Sequence, residues 1–186
     1  MKLPAEDYKQ LKAGADPWTD ATFPQTDIIR WGDYPGVIQD LKWVEEKVTW
    51  KRLSEVYPKN TLWGKTGAKP DDTQQGLLGD CYFISAAAAI AEEPERIKKN
   101  FLTAEKNAAG VYAVTLYPIG IPQTVLVDDV FPFDEKNQLV MGNIGEDSAL
   151  WGPILEKAFA KVAGNYEMAS GGWVEEGFRM LTGAPA

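Results

Sequence analysis

The chain has 186 residues, of which 45% are hydrophobic and 25% charged, and these proportions are those of a globular domain that buries one core. A formal net charge of −8 disfavours binding to nucleic acid, whose phosphates require clustered Lys and Arg, and no apolar run approaches the roughly 20 residues that span a bilayer. The single cysteine excludes an internal disulfide, and the absence of histidine leaves no usual ligand set for zinc.

The amino-terminal third predicts mostly irregular structure. Residues 1–16 carry neither a secretory signal pattern nor a myristoylation glycine, and we interpret them as a terminal segment ahead of one domain over 17–186. Trp, Pro and Asp are frequent in 16–36, which favours extended chain and turns. Residues 41–57 fit a short strand or a short helix, whereas 64–80 are dense in Gly, Asp, Thr and Gln and predict a polar loop.

The remaining chain predicts a mixture of helices and strands. CYFISAAAAIAEE is apolar on nearly every side, so we expect a buried helix that begins at Asp80 or Cys81. Three further helices are predicted over 94–101, about 148–163 and 170–183, and a strand pair over 111–117 and 123–129. The fold class is therefore α+β, with a buried central helix and a small antiparallel sheet.

Cys81 admits two interpretations from its position. A cysteine in the first turn of a helix faces unpaired backbone N–H groups and the positive end of the helix dipole, which favour thiolate over thiol and make the sulfur a nucleophile. A lone cysteine followed by Tyr, Phe and Ile is equally well a small buried hydrophobic residue. Gln75, six residues upstream, offers a side-chain amide as an oxyanion donor, although a glutamine in a polar loop is usually just solvated.

The string QGLLGDCYFISAAAAIAEEP resembles the calpain motif of Gln-Gly, two residues, Gly-Asp-Cys, an aromatic residue and an Ala-rich helix. VTWKRLSE, LVDDVFPF and LWGPILEKAFAKVAGNYEMASGGWVEEGFRMLTG extend the resemblance over about residues 17–183. It implies the cysteine-bearing first subdomain of a papain-like protease core, from a family of calcium-dependent intracellular endopeptidases. Cys81 would then be the nucleophile and Gln75 an oxyanion donor. Tyr82 departs from the family, which commonly has tryptophan after the cysteine.

The resemblance also implies what this chain lacks. In the family, the catalytic histidine and asparagine come from a second subdomain, and a chain without histidine contains no Cys-His pair. We therefore expect this polypeptide to be inactive alone and to act with a histidine-bearing second subdomain on protein substrates in the cytoplasm. The alternative is a non-catalytic calpain-like interaction or regulatory protein. A thiol redox sensor would need a resolving cysteine, which this chain does not have.

Calcium is the cofactor that the resemblance implies. In the family, one ion is bound by the loop before the cysteine and by a glutamate two residues before the tryptophan of the Leu-Glu-Lys-Ala helix. The matching loop positions are Lys65, Gly67 and Asp72. The glutamate position is Ala149, so we expect a weakened or lost site unless Glu146 or Asp147 reaches in, or Asp71 compensates in part. From the residues alone, Asp71 and Asp72 would be a solvated turn pair.

Two other sets of residues favour structural roles. Asp128 and Asp129 are adjacent on a predicted strand and point to opposite faces, so they cannot share one ligand or proton, and pairing with Lys or Arg is expected. The seven tryptophans are interpreted as packing anchors rather than as a platform for stacking a ligand.

Overall fold

A computed structural model describes residues 8–26, 28–29 and 40–185. Residues 27 and 30–36 of the predicted extended stretch and residues 1–7 of the terminal segment lie outside this part. Its α-helices are α1 (Tyr8–Ala13), α2 (Asp40–Lys47), α3 (Leu53–Val56), α4 (Cys81–Ala91), α5 (Pro94–Lys98), α6 (Trp151–Ala163) and α7 (Val174–Thr182). Single 3₁₀ turns lie at Pro70–Asp72, Pro118–Gly120 and Glu167–Ala169. α1, which belongs to the predicted terminal segment, lies against a strand of the core. The domain boundary after residue 16 stays a prediction.

The strands form antiparallel pairs rather than the one small sheet that the sequence suggested. Their bounds are β1 (Thr49–Arg52), β2 (Thr73–Gln74), β3 (Val111–Leu116), β4 (Gln123–Asp128), β5 (Val130–Phe133) and β6 (Asn143–Ile144). β1 pairs with β5, β2 with β6, and β3 with β4, which confirms the pair predicted over 111–129. The ambiguous segment 41–57 contains both kinds of structure, because β1 lies between α2 and α3. The α+β class is confirmed.

α4 is the buried central helix that the sequence predicted, and it begins at Cys81. Phe83 stacks on Phe159 of α6, with ring centroids 4.0 Å apart, and this contact joins the two helices in the core. One stripe of α4 stays open to solvent at i, i+4 spacing, formed by Cys81, Ser85 and Ala89. The nucleophile candidate therefore lies on the exposed edge of an otherwise buried helix.

α6 begins three residues later than predicted because the backbone before it is held in another conformation. Ser148 adopts a φ of 66°, which a helix does not accommodate. The N–H groups of Leu150 and Trp151 donate instead to the carbonyl of Leu62. α7 then packs closely on α4 at Gly177, where a Cβ would lie 2.9 Å from the methyl of Ala86. This contact fixes the carboxyl-terminal helix beside the central one.

Asp128 and Asp129 point to opposite sides, as predicted, and each has a basic partner. Asp128 forms a buried ion pair with Lys157, and Asp129 pairs with Arg52 at 2.6 Å. Burial alone would raise the pKa of Asp128, but the charge of Lys157, its hydrogen bond and the N–H groups of Asp20 and Val130 together hold that pKa below its usual value. Both carboxylates therefore have structural roles. In the described part of the chain, no helix has the length and apolar character needed to cross a membrane.

Candidate active site

Cys81 is the first residue of α4, and its thiol is free and exposed. The carbonyl of Asp80 accepts hydrogen bonds from the N–H groups of Phe83 and Ile84, at 2.9 and 3.1 Å, which closes the first turn beneath the cysteine. The buried-hydrophobe interpretation is not supported by this exposure. An accessible sulfur at the positive end of an 11-residue helix fits a nucleophile.

The loop before Cys81 is held against residues 140–141. Leu77 donates its N–H to the carbonyl of Val140 at 2.9 Å. At Gly76 the loop comes so close to its neighbour that a Cβ would lie 1.4 Å from the carbonyl oxygen of Met141. Only glycine fits this contact, which explains physically the Gln-Gly pair of the motif.

Gln75 is exposed, and its side chain forms one hydrogen bond inside the same loop. The Nε2 amide donates to the carbonyl of Leu78 at 2.6 Å, which folds residues 75–78 into a turn. An amide NH₂ group carries two N–H donors, so one remains available after this bond. Among the described residues this amide has no other acceptor, so Gln75 keeps one N–H donor in the loop that leads to Cys81.

A second contact holds the loop to residues 169–172. Gly171 donates its N–H to the carbonyl of Gly79 at 2.9 Å. The hydroxyl of Tyr82 donates to the carbonyl of Ala169, and a Cβ on Gly172 would overlap the Tyr82 ring. Burial raises the pKa of Tyr82 to about 12, so the hydroxyl stays protonated and remains a donor. Tyr82 thus holds residues 169–172, which include Gly171 and Gly172, against the start of α4.

Sequence reasoning missed two acidic side chains that meet below Cys81. Asp80 and Glu156 are fully or almost fully buried, three of their four carboxyl oxygens receive no hydrogen bond from the described residues, and each carboxyl group shifts the pKa of the other. Glu156 Oε2 also accepts the N–H of Gly142 at 2.6 Å. Burial is the main reason that the pKa of each group is raised, and for Glu156 the charge of Asp80 adds to it. The available signal was Glu156 itself, an acidic residue within the apolar stripe of α6. We call these two residues the carboxyl pair.

The predicted calcium loop brings some of its residues together. Asp72 is buried, and its Oδ2 accepts the indole N–H of Trp151 at 2.9 Å and the N–H of Lys69 at 2.8 Å. Its Oδ1 is buried and receives no hydrogen bond from the described residues. Burial raises the pKa of Asp72, as does the charge of Asp147. Asp72 is therefore not the solvated turn residue that its position suggested, and it has one free oxygen.

Asp147, rather than residue 149, is the acidic side chain that reaches this loop. Its Oδ2 accepts the N–H groups of Lys65 and Thr66, both at 3.1 Å, and these bonds help to keep its pKa low. Ala149 is fully buried and has no oxygen to offer from its side chain. Gly67 has a φ of 95°, and the space beside it is open. Within the described ranges, no group of three or more His, Cys, Asp or Glu side chains is arranged to hold a metal ion.

Comparison with known proteins places this geometry in a family. The calpain family cysteine protease domain matches residues 18–186. The chain is 31% identical to the calpain-1 catalytic subunit of Sus scrofa over 98% of its own length and 26% of that protein. It is 32% identical to a calpain of Schistosoma mansoni, over 94% and 23%, and 32% identical to the calpain-type cysteine protease DEK1 of Arabidopsis thaliana, over 91% and 8%.

The chain thus spans about a quarter or less of the length of these relatives. The match nevertheless includes the cysteine at the start of α4, the loop before it and the carboxyl-terminal helix. The chain belongs to the calpain family of cysteine proteases.

Proposed function

We propose that this chain is the cysteine-bearing subdomain of a calcium-dependent endopeptidase and that Cys81 is its nucleophile. The observation that carries the proposal is the free, exposed thiol at the first residue of α4. In the reaction, the Cys81 thiolate attacks the peptide carbonyl, and the C–N bond breaks as the amine leaves with a proton. Water then hydrolyses the thioester and regenerates the thiol.

The oxyanion of the tetrahedral intermediate would be stabilised from two directions. The first N–H groups of a helix have no partner within the helix, so the backbone N–H of Cys81 is one donor. The free N–H of the Gln75 amide is the second. Removing one such donor typically slows the chemical step 100- to 1,000-fold, roughly. We therefore expect Gln75→Ala to lower kcat by about that factor in the assembled protease while the fold is retained.

The proton acceptor has to come from outside this chain, which contains no histidine. We propose a histidine-bearing second subdomain as the partner. The surface beside Cys81 supports this, because the exposed stripe of α4 runs next to a helix with unburied apolar side chains. These side chains are Val174 and Phe178, and Trp173, just before α7, is 72% exposed. Apolar surface of this kind is typical of an interface.

The test uses the chain alone and mixed with the histidine-bearing subdomain of a calpain relative. We expect the chain alone to cleave no peptide, the mixture to cleave one, and Cys81→Ser to remove all cleavage from the mixture. The matched control is Ser85→Ala, one turn away on the same stripe, which should keep activity. Cleavage by the chain alone, or no cleavage by any assembled protease core, would contradict the proposal.

Calcium binding is proposed as weak, through the loop that contains Lys65 and Gly67. Asp72 contributes one free carboxylate oxygen, and Asp147 is a second carboxylate close enough to raise the pKa of Asp72. Because Ca²⁺ takes six to eight oxygens, a site with two carboxylates depends on backbone carbonyls and water for the rest. Calorimetric titration should therefore show weak binding that Asp72→Asn abolishes. Ala149→Glu should strengthen it, and tight one-to-one binding to the unchanged chain would refute the weakened site.

The alternative is a non-catalytic interaction or regulatory protein with the same fold. The side chain at position 149, which offers no ligand, favours it. The mixing experiment separates the two, since a regulatory protein binds a second subdomain or a substrate without cleaving peptides. For the protease we propose protein substrates and a cytoplasmic location. This location is consistent with a lone free cysteine.

A further inference from the structure

Asp80 stands at the amino-terminal cap of α4, but its side chain does not cap the helix. Asp is a favoured residue at the amino-terminal cap of a helix, where its carboxylate accepts backbone N–H groups. At the start of α4 the Asp80 side chain makes no such bond and is fully buried. Neither of its oxygens accepts a well-formed hydrogen bond from an N–H or hydroxyl group of another described residue. The side chain that interacts with it is the carboxyl group of Glu156, and each of the two influences the pKa of the other.

Glu156 lies on α6, and one of its two carboxyl oxygens already accepts a hydrogen bond. Its Oε2 accepts the N–H of Gly142, and a Cβ at Gly142 would lie 2.6 Å from that oxygen. Its Oε1 is buried and has no donor among the described residues. Two carboxylates in contact away from water repel each other and lack donors. A proton between them removes both difficulties, because a protonated carboxyl group donates one hydrogen bond.

We propose that Asp80 and Glu156 share one proton, carried on Glu156, and that this bond ties the first turn of α4 to α6 and thereby positions Cys81. The part of this inference that concerns catalysis rests on the proposed function. The carboxyl pair consists of positioning residues, since neither touches the substrate. The pair carries one negative charge while it holds the proton and two after it is lost. A second charge beside the residue that precedes Cys81 disfavours formation of the thiolate.

The 3₁₀ turn packed against α4 carries a third buried carboxyl group, Asp72, whose pKa burial also raises. The two tyrosines near the pair are fixed in one state. The buried hydroxyl of Tyr166, just after α6, feels both carboxyl groups, and burial raises its pKa well above the usual value. Tyr82 of α4 feels Asp80 and Glu176 and also stays protonated. The nearest buried cation, Lys157, points to Asp128 on β4. The titration of the pair is therefore distinguished from that of Asp72 by Glu156→Gln, which removes the shared proton and leaves Asp72 unchanged.

The direct test is a carboxyl-carbon NMR titration of the 186-residue chain with ¹³C-labelled Asp and Glu. Exposed carboxyl groups are ionised by about pH 6, since their pKa values lie near 4. Burial raises the pKa of Asp80 to about 6, so the comparison is made at about pH 7, where we expect a protonated carboxyl resonance that disappears in Glu156→Gln. Two ionised carboxyl groups in the pair at about pH 7 would overturn the proposal.

The positioning role is tested by the rate of Cys81 alkylation as a function of pH. Glu156→Gln keeps the shape and the donor but cannot lose a proton. Its rate should equal that of the unchanged chain at about pH 7 and exceed it at alkaline pH, where the unchanged chain gains its second charge. Glu156→Leu, which cannot form the bond, should lose hydrogen-exchange protection at the amides of Phe83 and Ile84, and Glu156→Gln should restore it. Identical pH profiles, or equal protection in both variants, would contradict the role.

The matched control is Glu167→Gln. Glu167 is also buried with one unpartnered oxygen, but it belongs to the 3₁₀ turn after α6. This variant should leave the titration and the pH profile unchanged, and an equal effect of both glutamine variants would refute a specific pair. None of these measurements needs peptide cleavage. A shared proton in a core that never cleaves peptides would therefore remove the proposed function alone, and an active core without that proton would remove only this inference.

Discussion

Gly76→Ala tests whether the loop before Cys81 is held by close backbone contact. A methyl group at this position would lie 1.4 Å from the carbonyl oxygen of Met141 and 2.7 Å from that of Val140. Ordinary contacts begin near 3.4 Å, so the two segments must separate by about 2 Å. The neighbouring hydrogen bond from Leu77 to Val140 would break, which costs about 1 kcal/mol. Overpacking adds about 1–3 kcal/mol.

We therefore expect Gly76→Ala to lower the free energy of unfolding by about 3 kcal/mol, which corresponds to a fall in Tm of roughly 6–12 °C for a chain of this size. Urea denaturation followed by tryptophan fluorescence measures the free energy. Gly79→Ala is the matched control, three residues away in the same loop. Its methyl group would meet only the side-chain hydroxyl of Ser170, at 2.9 Å, which can rotate away. The control should stay within about 1 kcal/mol of the unchanged chain. Equal destabilisation by the two variants would refute the close contact at Gly76.

Three further outcomes are expected. Lys157→Met leaves Asp128 buried without its cation and should lower the free energy of unfolding by about 3–5 kcal/mol. Its control, Lys98→Met, breaks an exposed ion pair and should lower it by at most about 1 kcal/mol. Similar losses in the two variants would contradict the difference in burial. Tyr82→Phe leaves the carbonyl of Ala169 without its donor and should cost about 1–3 kcal/mol by the same measurement, and no loss would argue against that bond. Stability should fall as pH rises above about 5, because the pKa values of the carboxyl pair are raised and the folded chain then binds more protons than the unfolded chain. Denaturation at several pH values checks this, and a slope that Glu156→Gln leaves unchanged would assign it to other groups.

The elements that the sequence predicted well are those with a strong local signal. The apolar run after Cys81 specified α4, and β-branched alternation specified the β3–β4 pair. The start of α6 was wrong by three residues because a tertiary hydrogen bond from Leu150 to Leu62 overrides the pattern. The segment 41–57 was ambiguous because each of its elements is only four to eight residues long, too short for periodicity to decide.

The candidate site shows the same division. Cys81 and Gln75 were identified from a motif, but their surroundings depend on contacts between residues far apart in the sequence. The proposed bond between Asp80 and Glu156 spans more than seventy positions, and the hydrogen bond from the N–H of Lys65 to Asp147 spans 82. No local pattern encodes such distances. Sequence reasoning therefore identified the residues with reactive chemistry and missed the residues that hold them.

The structure also separates the part of the motif that the fold needs from the part that it does not. Gly76 is required by a backbone contact, Asp80 by its buried partner, and Tyr82 by its bond to Ala169. These residues would persist in a calpain-like protein that had lost its activity. Cys81 and the free donor of Gln75 are different, because both side chains are exposed and packing does not explain the choice of a thiol. An exposed thiol can be oxidised and adds nothing to packing, so its place at the helix terminus supports the nucleophile that we propose.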